Sequence, residues 1–133
     1  MRSPAVLLLL ALVLAPACGG AGASPPPPAS PTPLPGAVLV TRANDRGTVH
    51  AHVGDTIQVA LGADYEWRVD PPDGVVLVRT VQNYLLVRGT QAIWTAAASG
   101  TSTVSATGTV ICPSGQACIL IALLFTTTVV VAP

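Results

Sequence analysis

Between Val49 and Val69, apolar and polar side chains alternate in three short runs: Val49/Ala51/Val53, Ile57/Val59/Leu61 and Tyr65/Trp67/Val69. His50 and His52, Thr56 and Gln58, and Glu66 and Arg68 take the opposite phase. Successive side chains of a strand face opposite sides, so a period of two predicts three half-buried strands sharing one core. Gly54-Asp55 and Gly62-Ala63-Asp64 break the runs. The first break reads equally as a two-residue turn or as a corner where the chain crosses between sheets.

The pattern continues on both sides. Val38-Leu39-Val40 begins the domain, and Asn44-Asp45-Arg46-Gly47 turns it into the Val49 run. Pro71-Pro72-Asp73-Gly74 predicts a turn, with a strand from Val75 to Val81 and another from Tyr84 to Val87. After Arg88-Gly89-Thr90, Ala92/Trp94/Ala96 alternates with Ile93/Thr95/Ala97, and Thr101 to Thr107 follows with Val104 and Ala106 on one face. The last strand is expected from about Ile119 to Val131. Its Thr and Val favour a strand, and it is too short for a membrane helix. No helical period is visible after the N-terminal segment. Eight to ten short strands with Gly/Pro turns predict an all-β sandwich, with Trp67 and Trp94 as core anchors and Tyr65 and Phe125 beside them.

The first 36 residues follow different rules. Arg2 precedes an unbroken apolar run, Ala5 to Leu14, and Ala15-Pro16-Ala17 forms a small-residue cleavage site. Residues 1–17 therefore read as a secretory signal peptide. Two processing routes fit: cleavage after Ala17 by a general signal peptidase, or lipidation at Cys18, because Leu14-Ala15-Pro16-Ala17-Cys18 resembles a bacterial lipobox. Residues 18–36 hold seven Pro, four Gly and no charge. Such a segment reads as an extended spacer, and the 13 residues from Ser24 to Gly36 span about 40 Å in polyproline geometry. Residues 37–133 are left for the folded domain.

Cysteine usage favours the lipid route. Cys112 and Cys118 are six apart around Pro113-Ser114-Gly115-Gln116-Ala117, and in an oxidising compartment they are expected to close a short loop. That staple is worth roughly 2.4 kcal/mol on the chain-entropy estimate. Cys18 is then the odd thiol, placed where a lipid would sit and hold the protein on a membrane.

Charge and chemistry narrow the function further. Six Arg balance six acids, with no Lys. Without Arg2 the five remaining Arg against six acids give a net charge of minus one, no footprint for nucleic acid. His50 and His52 lie on one strand face about 6.7 Å apart, half of a metal site at most, and the expected reading is a solvated face with no metal or cofactor. Five residues between Cys112 and Cys118 differ from the spacing of redox pairs. No nucleophile–base–acid set and no phosphate-cradling Gly motif are present, so no enzymatic activity is expected.

Gly54-Asp55-Thr56-Ile57-x-Val59-x-Leu61, followed by Tyr65-x-Trp67, resembles the chagasin-type cysteine protease inhibitors. Trp94-Thr95-Ala96-x-x-x-Gly100-x-Ser102-x-Val104 and the closing Val129-Val130-Val131 are similar to the same family. The resemblance implies an immunoglobulin-like sandwich and, through three loops, inhibition of a papain-like protease. Scaffold positions match, whereas the family's inhibitory loop motifs do not: the first loop is only Gly62-Ala63-Asp64, and the third holds Cys112 to Cys118 without Arg or Trp.

The expected function is thus a non-enzymatic, membrane-tethered lipoprotein of the cell envelope that binds a protein or envelope component. The candidate loops are Gly62, Ala63 and Asp64; Arg88, Gly89 and Thr90; and Pro113, Ser114, Gly115 and Gln116. A papain-like protease is the alternative partner. Mass spectrometry of the mature N-terminus is expected to find a diacylglycerol adduct on Cys18; an unmodified Cys18 replaces anchoring with simple secretion.

Overall fold

A computed structural model describes residues 30–80 and 88–133 of the chain. Among them lie eight strands: β1 (Ala37–Val40), β2 (Thr48–His52), β3 (Thr56–Val59), β4 (Tyr65–Val69), β5 (Leu77–Arg79), β6 (Ala92–Ala96), β7 (Gly100–Val110) and β8 (Ala122–Ala132). A single 3₁₀ turn, Arg42–Asn44, joins β1 to β2. One sheet runs β1-β3-β6-β5 and the other β2-β8-β7-β4. The fold is an all-β sandwich, as the alternation predicts, and immunoglobulin-like, as the resemblance implies.

Both sheets are mixed. β1 pairs with β3 in parallel and β2 with β8 in parallel, while the other ladders are antiparallel. Parallel neighbours cannot be joined by a tight hairpin, so the chain changes sheet at most of its turns. Gly54-Asp55 is accordingly a corner between sheets. Gly54 takes a φ of 97°, its N–H donates to the Ala96 carbonyl (2.8 Å), and the Asp55 carboxylate accepts from His52 N (2.8 Å).

The inner faces meet in the predicted phase. Val49 and Ala51 from β2, Ile57 and Val59 from β3, and Trp94 and Ala96 from β6 are buried. Val104 and Ala106 from β7 and Phe125, Val129 and Val131 from β8 line the core beside the β2 pair, across from β3 and β6. Leu61 is buried beyond the end of β3, whereas Val53, past the end of β2, is exposed at the corner.

Three expectations are corrected. Gln58, in the outward phase, is fully buried, because the segment before β1 covers that face of the sheet. Its Oε1 accepts from Leu34 N (2.7 Å), and its Nε2 donates to the Thr32 carbonyl (3.0 Å) and the Thr90 hydroxyl (2.9 Å). The end of the Pro-rich segment is therefore bonded to the domain. The final strand starts at Ala122, not Ile119: its ladder with β7 begins at Thr109↔Ala122, and the disulfide-closed loop parts the two chains beyond it. Of the strand expected from Val75 to Val81, the described part, residues 75–80, forms a strand only over Leu77–Arg79, and Val81 lies outside the described residues. Residues 1–29, with the signal peptide, Cys18 and most of the spacer, and the strand expected at Tyr84 to Val87 lie outside the described residues.

Asp73 explains the shortened strand. Its Oδ1 accepts from the N–H groups of Val75 and Val76 (both 2.7 Å), and its Oδ2 accepts from Leu77 N (3.3 Å) and the Ser102 hydroxyl. Backbone donors that a longer strand would use are committed to this turn. Desolvation pulls the Asp73 carboxyl upward, but the Ser102 hydroxyl and the three backbone N–H groups outweigh it and hold the pKa below its ordinary value. A carboxylate lowered on folding stabilises above its unfolded pKa of about 3.9, and that contribution is lost as pH falls through the lower native value. Asp73→Asn removes the Oδ2 acceptor and is expected to cost about 1 kcal/mol at pH 7. In urea titrations the gap from the parent should close as the pH is lowered through that window; a gap that persists there contradicts the role of the charge.

Candidate functional site: the loop end of the sandwich

The ladders bring three connections to one end of the molecule. Val59 pairs with Ala92, Tyr65 with Val110, and Thr109 with Ala122, so residues 60–64, 88–91 and 111–121 emerge together. The turns holding Val53–Asp55, Asp70–Val76 and Ala97–Ser99 lie at the opposite end.

The first two loops are bonded to each other. Gly62 N donates to the Gly89 carbonyl at 3.1 Å. Gln91 bridges from beneath: its Nε2 donates to the Gly62 carbonyl (2.6 Å), and its Oε1 accepts from Leu61 N (2.7 Å). Gly62 and Gly89 have φ of 97° and 87°, a left-handed backbone that strains any side chain. A Cβ on Gly62 would also stand 2.9 Å from the Asp64 carboxylate.

Of the predicted loop residues, Ala63, Asp64 and Arg88 are exposed here, and Gly62 and Gly89 are half-buried. Thr90 is buried and accepts from Gln58, so it shapes the loop from within. Pro113, Ser114, Gly115 and Gln116 are exposed in the third loop. The Cys112–Cys118 disulfide closes that loop, with Cα atoms 5.9 Å apart, and Gln116 N donates to the Pro113 carbonyl inside it. His50 and His52 project from β2 into solvent, and among the described residues no group of three or more His, Cys, Asp or Glu is placed to hold a metal.

Two features of this end escape the sequence pattern. The first is Arg42, whose Nη1 lies 2.6 Å from Asp64 Oδ2 and whose guanidinium stacks 5.1 Å from the Tyr65 ring centre and 5.9 Å from that of Trp67. Both charged side chains are substantially exposed, so the ion pair contributes only about 0–1 kcal/mol. Its effect is positional: it pins the first loop to the 3₁₀ turn. Trp67 is consequently half-buried at the rim, not a central anchor. It lies over Gly108, where a Cβ would stand 2.8 Å from the indole, and its Nε1 is buried with no acceptor among the described residues.

The second feature is apolar exposure. Ile119 and Leu120 are 77% and 92% exposed, and Ile111, Ile121 and Leu124 are exposed around them. Among the described residues, the other exposed large apolar side chains, Val53 and Val75, lie at the opposite end. The signal was present in the sequence: Ile119-Leu120-Ile121 has no polar alternation, and unbroken apolar runs do not reveal which side they face. Ile111 and Ile119 to Ile121 thus flank the Cys112–Cys118 ring on both sides.

No family model matches the chain, and no curated protein does. Among solved structures it is similar to EhICP2, a cysteine protease inhibitor from Entamoeba histolytica, at 17% identity and a TM-score of 0.48, covering 71% of this chain and 93% of that one. It is also similar to the solution structure of Amebosin, at 19% identity and a TM-score of 0.43, covering 72% of this chain and 98% of that one.

Proposed function

We propose that this chain is an exported, non-enzymatic module, held at the membrane by a lipid on Cys18, that binds an envelope component through its loop end. The observation that carries the reading is the exposed Ile119-Leu120-Ile121 tip beside a disulfide at the end where three loops meet. A disulfide across so short a loop limits the conformations lost on binding, and the preorganised apolar tip supplies contact area. The signal-peptide and lipobox-like residues support export and anchoring on the extracytoplasmic face.

The second reading is inhibition of a papain-like cysteine protease, in which the loops fill the active-site cleft. It is favoured by the resemblance around Gly54 to Trp67 and Trp94 to Val104, together with the meeting of three loops at one end. The partner's chemistry differs between the readings, but the binding end is shared.

Retention of the unlipidated mature chain on isolated envelopes tests the first reading. Leu120→Asp is expected to lower retention about tenfold or more, as loss of a buried apolar contact in an interface centre does. Equal retention of parent and variant removes the tip from the binding surface. An assay against papain addresses the second: nanomolar inhibition establishes it, and no inhibition at high micromolar concentration eliminates it.

A further inference from the structure

We propose that the surface contacted by the Ile119–Ile121 tip is the lipid bilayer itself, so that the anchored domain stands loop-end down with this tip in the interface. The proposal rests on the anchored reading above and names the component bound. It starts from where the spacer enters the fold. Ser30 and Pro31 line the same shallow cavity as Gly62, Ala63 and Asp64. A Cβ on Gly89 would stand 3.8 Å from Pro31 Cβ. The chain thus arrives at the loop end, runs past Gln58 through Thr32 and Leu34, and only then turns into β1.

Eleven residues, 19–29, and so twelve Cα–Cα steps, separate the lipid-bearing position from this entry. Fully extended they reach roughly 40 Å. The sandwich is about as long, since the 11 residues of β7 span roughly 37 Å. To present the opposite end to the membrane, the spacer would have to run nearly taut along the whole domain. Loop-end down leaves it slack, with far more conformations available.

The surface then brought to the bilayer suits it. From Gly89 to Pro133 the chain carries no charged residue, so the β7–β8 hairpin and its loop reach the interface without desolvating a charge. Ile119, Leu120 and Ile121 are three consecutive exposed apolar residues, enough to enter the headgroup–acyl boundary. Ser114 and Gln116, exposed within the disulfide-closed ring next to this segment, are uncharged and add no charge to the interface. A segment of three apolar side chains binds lipid reversibly on its own. On an anchored chain the second contact is intramolecular, and effective concentration does the rest.

The test couples Cys18 of the mature full chain to a maleimide-bearing phospholipid in phosphatidylcholine/phosphatidylglycerol vesicles, so its outcome does not depend on native processing. Leu120→Trp places a reporter at the tip, and Val75→Trp places one at the opposite end; the parent supplies the Trp67 and Trp94 background. With bromine on the acyl chains, the added emission of Leu120→Trp is expected to fall by about half, because an inserted indole meets the bromines. That of Val75→Trp should be unchanged. An unquenched Leu120→Trp, or equal quenching of both reporters, overturns the proposal. Tip-dependent envelope retention with an unquenched reporter means that the partner is a protein: the proposed function then stands, and this inference alone falls.

Discussion

A buried amide organises the functional end of this molecule. Gln58 sits fully buried in the middle of β3, and an amide left unpaired there would cost about 1–3 kcal/mol per lost group. Its needs are met by the Thr32 carbonyl, Leu34 N–H and the Thr90 hydroxyl, three groups far from it in sequence. One side chain thereby fastens the incoming spacer to the sheet and to the connection before β6. Gln91 repeats the device one layer higher, holding Leu61 and Gly62. The entry point of the chain and the geometry of two loops are set by the same hydrogen-bonding requirement.

Order at the loop end is uneven, and the unevenness has a function. The first loop is held by Arg42 and by the second loop, and its glycines leave little side-chain surface to offer. The third loop is held only by its own disulfide and by the strands it joins, and it carries the apolar exposure. A firmly held loop thus stands at the same end as the exposed apolar side chains. The same logic makes Trp67 a rim residue: Gly108 provides a floor for the indole, and Arg42 covers part of its face.

The β-sandwich, the inward phase of Val49, Ile57, Val59, Trp94 and Val104, and the pairing of Cys112 with Cys118 are legible in the chain. They depend on local periodicity and spacing. Gln58 was misplaced because alternation assumes one wet face, and a segment more than twenty residues earlier covers that face. The final strand was drawn three residues too long at its start, because an apolar run carries no phase. Arg42 escaped notice because its partners, Asp64, Tyr65 and Trp67, lie across a sheet-to-sheet crossing that no sequence pattern announces.

The amino-acid sequence by itself determined the class of fold, the absence of charge after Arg88 and the positions of most turns. Each follows from side-chain chemistry read over a few neighbours. Only the tertiary structure decided that three loops share one end, that the spacer enters there, and that Ile119 to Ile121 face outward. Those facts arise from strand pairing between distant residues, where a parallel ladder and a buried amide select among arrangements that local sequence leaves equally good.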